Sequence, residues 1–259
     1  MMDREDFLGV RLKLERAEHH IRHLEQIARD HVAFNVQAMK RQPNPKKWQK
    51  RGVGSAPPRH TPTILGDAIH NLRSALDHAY CALVIANGCK ITNRTSFPFY
   101  PNKDRALEAL TNKGRVRSDT PNNDVLEFIL NELKPFQDDG NDLYILHKLD
   151  IDDKHKVLVG TLAYVHQAHY EIMDNNGKSL LDIHGPTIIV PHKYQNSGPI
   201  GLEPGQWLKL HDDPRKVFDI RFDQGTFEGE SVVGKIKEVS QITNKALDDL
   251  SKFSLSLRK

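Results

Sequence analysis

Residues 168–185 read AHYEIMDNNGKSLLDIHG, and this stretch decides the fold class. Two runs of mixed apolar and polar residues flank Asn175-Asn176-Gly177. An Asn-Gly step between such runs signals a hairpin, because glycine takes positive φ without a Cβ clash. Three more segments share this texture: TIIVPHK at 187–193, QWLKLHD at 206–212 and KVFDIRFD at 216–223. Together they predict a small antiparallel sheet between about 161 and 230.

Outside that window the apolar residues recur at helical spacing. Phe7, Val10, Leu14, Ala17, Ile21, Leu24 and Ile27 mark a helix over 3–31. A second starts near Pro62 and ends at Asn87-Gly88, with Leu65, Ala68, Ile69, Leu72, Ala75, Leu76, Ala79 and Leu83 as its stripe. Shorter helices are predicted near 103–110 and after Thr120-Pro121, a strong one over 141–159, and a last one from 231 to about 253. The predicted class is α+β: a helical bundle over 1–160, an inserted β-rich section over 161–230, and a C-terminal helix over 231–259 packing on the bundle. SFPFYPNK, at 96–103, reads as a loop because its two prolines prevent regular pairing.

Composition narrows the function classes. With 38% hydrophobic and 27% charged residues among 259, the chain is globular rather than disordered. No apolar run approaches the roughly 18 residues that span a bilayer, and the N-terminus is charged from its third residue. Cys81 and Cys89 make neither a disulfide framework nor a zinc site. The expected setting is therefore the cytoplasm, with no membrane partner. GxSxG, GxxxxGK[ST] and dinucleotide fingerprints are absent, so no cofactor is expected. His19, His20, His23 and His31 are expected on a solvated helix face.

Residues 32–61 lose the helical period and read as a connector. Lys40, Arg41, Lys46, Lys47, Lys50, Arg51 and Arg59 fall there without an acidic residue among them. Lys40, Arg41, Lys46, Lys47, Lys50 and Arg51, with Trp48 among them, are candidate nucleic-acid contacts, since such a cluster gains affinity by releasing phosphate counterions. The plainer reading is a solvated segment broken by Pro43, Pro45, Pro57 and Pro58.

The densest chemistry lies in HNLRSALDH, residues 70–78. Projected at about 100° per residue, His70, Arg73 and Asp77 share one stripe while His78 diverges from Arg73 by about 140°. The helix over 141–159 carries His147, Asp150 and Lys154 on its apolar face, flanked by Asp153 and His155. Charges on a core-facing stripe need partners. The two polar stripes are therefore predicted to face each other, with Arg73–Asp150 and Asp77–Lys154 as candidate pairs.

Arg73-Ser-Ala-Leu-Asp-His78 resembles the arginine, four-residue gap, histidine pattern of HEPN domains, here within a HEPN-like core over 62–160. HNLRSALDH with the downstream DKHK (153–156) also resembles a family of bacterial and phage proteins. The resemblance covers about 40 residues and leaves out the β-rich section. It implies metal-independent RNA cleavage at a homodimer seam, in a setting of phage–host conflict. Arg73 would hold the scissile phosphate and His78 would act as general base or acid, with His70 and Asp77 beside them and His147, Asp150, Asp153, Lys154 and His155 in support. Ser74 departs from the Asn, Asp or His usual after that arginine. The implied partner is RNA or a nucleotide.

Two other classes stand beside this one. The first is a non-catalytic binding protein in which the ionic residues fix helix register. The second is a metal-binding bundle using His70, Asp77, His78, His147, Asp150 and His155. No HExxH or paired ExxH motif accompanies the latter, and Arg73 and Lys154 would crowd the cation.

Overall fold

The computed structural model describes residues 7–41, 57–93, 95–111, 123–137, 143–155, 161–187, 207–211, 218–222 and 226–257. In chain order its helices are α1 (Leu8–Arg41), α2 (Thr61–Ala86), α3 (Lys103–Thr111), α4 (Asn123–Glu127), α5 (Leu143–His155) and α6 (Val232–Ser256). Strands β1 (Thr161–Met173), β2 (Ser179–Thr187), β3 (Trp207–Leu210) and β4 (Phe218–Phe222) precede α6. The class is α+β, with the antiparallel sheet placed before the C-terminal helix. None of the described helices is long and apolar enough to cross a membrane, and Cys81 and Cys89 are not joined in a disulfide.

The chain divides into two compact units. The first comprises Met1–Ile21, Leu65–Leu158 and Lys235–Lys259; the second comprises Arg22–Ile64 and Val159–Gly234. In the first unit the helical stripes are buried as their spacing requires. All eight apolar positions named for α2, from Leu65 to Leu83, are without solvent exposure. Each large aliphatic side chain removed from water in this way contributes about 1.5–3 kcal/mol. Leu143, Leu146 and Leu149 of α5 and Ile236, Val239, Leu247 and Leu250 of α6 are also buried.

α4 passes directly into a π-helical turn over Phe128–Leu133. Lys134 closes it in the left-handed region at φ 45°, its N–H bonded to Ile129 O, and Pro135 prevents continuation. Phe128 of this turn stacks on Phe253 of α6, centroids 4.1 Å apart.

Two expectations for α1 are corrected. The helix continues to Arg41 rather than ending near residue 31, so the connector is shorter than 32–61. The apolar period fails there, with Phe34 exposed, but no proline intervenes before Pro43. Of the four histidines placed on its solvated face, His20 and His31 are buried. His20 lies three residues after Ala17 and four before Leu24, and His31 four after Ile27, so the buried stripe is wider than its aliphatic members suggested. Burial holds the His31 imidazole below its ordinary pKa.

In the second unit, β1 is the hub of the sheet. It pairs antiparallel with β2, with β3 over Tyr170–Met173 and with β4 over Thr161–Val165. The β1–β2 turn falls where Asn175-Asn176-Gly177 places it. Gly177 sits at φ +76°, and the Asp174 carboxylate accepts the N–H groups of Asn176 and Lys178, both at 2.8 Å. Of the strand expected over 187–193, only Thr187, the last residue of β2, falls within the described residues.

Candidate functional site

The two polar stripes do meet, within the first unit. Gly66 of α2 abuts Asp153 of α5, and His70 Nδ1 lies 3.8 Å from Asp150 Oδ1. Positions rise along α2 as they fall along α5, so the two helices run antiparallel at this seam. A Cβ on Gly66 would sit 2.6 Å from Asp153 Oδ2. Glycine is therefore what lets the carboxylate approach α2.

The expected cross-helix pairs are not those formed. Arg73 Nη1 contacts Asp77 Oδ1 at 2.8 Å on its own helix, and Lys154 Nζ bonds Asp150 Oδ2 at 2.6 Å on its own. Both are i,i+4 pairs, which a helix brings together without help from a neighbour. Arg73 is kept from α5 by the loop after α2. Phe99 lies between, its ring 4.6 Å below the guanidinium and stacked on His147 at 5.0 Å and 8°.

That loop is what Arg73 and Asp77 hold. Asp77 Oδ1 accepts the Phe97 N–H at 2.7 Å, and Arg73 Nη2 donates to Phe97 O at 3.3 Å. The Arg73–Asp77 contact is an ion pair rather than an aligned hydrogen bond, so the guanidinium's directed bond goes to the loop. The Arg73 side chain is 11% exposed. Burial lowers its pKa, and the Asp77 and Asp150 carboxylates pull it back up. Phe97 is itself buried and meets Tyr80 edge-on.

Burial, then the Arg73 charge, also holds His147 below the ordinary imidazole pKa; Asp150 opposes and Lys154 adds to the lowering. This keeps the ring neutral near pH 7 and suits it to lie flat on Phe99. Its Nδ1 is buried and makes no hydrogen bond within the described residues.

The outward members are His70 and Lys154, with side chains 57% and 49% exposed around an Asp150 that is only 7% exposed. Ser74 Oγ is 3.5 Å from His70 Nε2. Along α5, Tyr144 is half-buried with Lys148 Nζ 5.9 Å from its ring centre. His78 is placed elsewhere: exposed, with its ring over Gly9 of α1, where a Cβ would meet Nδ1 at 2.9 Å. Within one chain, Arg73 and His78 therefore do not address a common substrate atom.

No three His, Cys, Asp or Glu groups are arranged to hold a metal among the described residues. Of the remaining candidates, the His155 side chain lies outside the described residues, as do those of Lys40 and Arg41, together with Lys46, Lys47, Trp48, Lys50 and Arg51. Sequence reading missed Phe97, Phe99 and Gly66. The available signal was FPFY itself, since a loop carrying three aromatics must bury some of them. Comparison with protein-family models, curated proteins and solved structures finds no match, so the site is read from its own geometry.

Proposed function

We propose that this chain is a HEPN-like RNA- or nucleotide-binding protein in which Arg73 and Asp77 anchor a loop and do not cleave. The observation that carries this is the engagement of the Arg73 guanidinium by Asp77, Phe97 O and the Phe99 ring. A guanidinium held in this way is withheld from phosphate. The groups left to a ligand are His70, Lys154 and Lys148, with Tyr144 as a stacking face. Cationic and aromatic groups along one helix and its neighbour suit a single-stranded backbone and its bases. Asp150, between His70 and Lys154, orients both.

The reading includes a cytoplasmic setting and a homodimer. The test is fluorescence anisotropy with a labelled single-stranded RNA. Lys154→Ala and His70→Ala, both at exposed positions, should weaken binding several-fold with folding unchanged, and His78→Ala should leave it as it is. Equal binding by all four proteins would exclude this face.

A further inference from the structure

The π-helical turn and the C-terminal part of α6 both belong to the first unit. Where they meet there is a cavity of about 280 Å³, lined by Phe128, Glu132 and Leu133 of the turn and by Asp249, Lys252 and Phe253 of α6. The Phe128 and Phe253 rings lie face to face, their planes within 1°. Glu132 stands four residues after Phe128 and Asp249 four before Phe253, so each element carries a carboxylate close to one turn from its ring. Both carboxylates and both rings line the same space.

The two carboxylates are compensated differently. Lys252 Nζ lies 3.6 Å from Asp249 Oδ1, with side chains 63% and 41% exposed. An ion pair this open is weak, because water screens it. Glu132 is exposed and has no ion pair or hydrogen bond among the described residues. The lysine nearest it in the packing, Lys103, bonds the neighbouring Asn131 instead, at 2.7 Å. The cavity therefore sets two negative charges and one positive charge around an apolar wall.

That balance selects among ligands. An anion meets two carboxylates. A wholly apolar ligand takes water from Glu132 and returns no partner. A bare metal ion meets the Lys252 ammonium, and no three His, Cys, Asp or Glu groups converge on it among the described residues. A cation on an apolar stem answers both features, and Lys252 already shows how one sits, with its ammonium toward Asp249. At about 30 Å³ per water molecule, the space admits a ligand of roughly ten non-hydrogen atoms.

We propose that this cavity binds a linear polyamine. Its ammonium groups lie on Glu132 and Asp249, and the methylenes between them cover the Phe128, Leu133 and Phe253 side chains. The ligand displaces Lys252 Nζ from Asp249 into solvent, which costs little because that pair is weak.

The experiment is isothermal titration of spermidine into the full chain. The chain has a formal net charge of +3, so bulk charge does not gather a polycation and saturable binding reports a local site. The wild type should bind one spermidine with a Kd on the order of 0.1–1 mM, within reach of a ligand of this size. Glu132→Gln and Asp249→Asn should each weaken binding about three- to tenfold with Tm unchanged. Lys252→Ala removes the competing ammonium and should bind at least as tightly. Equimolar Mg²⁺ should leave the isotherm in place. The proposal is overturned by a wild type without saturable binding, or by affinity that either carboxylate variant leaves unchanged. Weaker binding by Lys252→Ala overturns it too, as does loss of binding to Mg²⁺, which would make the cavity a bare acidic patch.

Discussion

Replacing Arg73 by alanine separates a loop anchor from a ligand-binding arginine. The substitution removes a guanidinium that is 11% exposed and lies 4.6 Å above the Phe99 ring, a contact contributing about 1 kcal/mol where partly desolvated. It also removes the bond to Phe97 O and leaves the Asp77 carboxylate without its cation beside Phe97 N–H. Hydrogen bonds involving a charged group contribute about 1.5–3 kcal/mol. Because the Asp77 side chain is about one-third exposed, solvent screening reduces its share. The total comes to about 2–3 kcal/mol. At about 2–4 °C per kcal/mol for a chain of this size, Tm should fall by about 5–10 °C. Arg73→Lys keeps the charge but loses the flat fork over the ring, so it should fall roughly halfway. Thermal unfolding followed by circular dichroism reads all three proteins. An Arg73→Ala Tm within about 1 °C of wild type refutes the reasoning, since an exposed phosphate ligand is the kind of residue whose loss leaves stability untouched.

Three further outcomes follow from the same geometry. His147 has its folded pKa held below the unfolded value of about 6.5. The unfolded chain then binds more protons between those two values, so stability is complete above pH 6.5 and declines as pH falls toward the folded pKa. Thermal scans should show that decline, and His147→Phe, which keeps the stack on Phe99, should reduce it to the part that the buried His31 contributes; an identical slope in the variant would count against the assignment. Gly66→Ala should destabilise by about 1–3 kcal/mol because its Cβ meets the Asp153 carboxylate. In an Asp153→Ala background the same change should instead stabilise, by up to about 1 kcal/mol of helix propensity; chemical denaturation of the four proteins measures the sign. Finally, His78→Ala should change stability by less than about 0.5 kcal/mol, because the ring is exposed.

How far the sequence could be read depended on whether an interaction was local. Leu65 to Leu83 and Phe7 to Ile27 announced their buried faces because helical period is a local property, and the hairpin at Asn175-Asn176-Gly177 was local for the same reason. His70, Asp150 and Lys154 were legible as a facing set, since a charge on an apolar stripe needs a partner whatever the fold. Their pairing was not. Whether Arg73 meets Asp77 or Asp150 depends on Phe99 entering from a loop 24 to 26 residues away, and no helical projection contains that loop. The cavity beside Phe128 and Phe253 was hidden for a related reason. It is assembled where α6 packs on the π-helical turn, while the sequence shows only two distant phenylalanines. The helical extension to Arg41 and the buried His20 and His31 show the reverse limit. Amphipathic pattern marks where a helix packs, not where it ends, and a histidine on the stripe is buried along with its neighbours.

The anchor claim is tested most directly at the Phe97 amide. Its N–H donates to Asp77 Oδ1 at 2.7 Å, and Arg73 holds the carbonyl of the same residue. Hydrogen exchange of that amide should be slow in the wild type. It should accelerate at least tenfold in Asp77→Ala while the α2 core amides around Leu72 and Leu76 keep their protection. Unchanged exchange at Phe97 would contradict the account, and would return Arg73 and Asp77 to the set of residues available to a ligand.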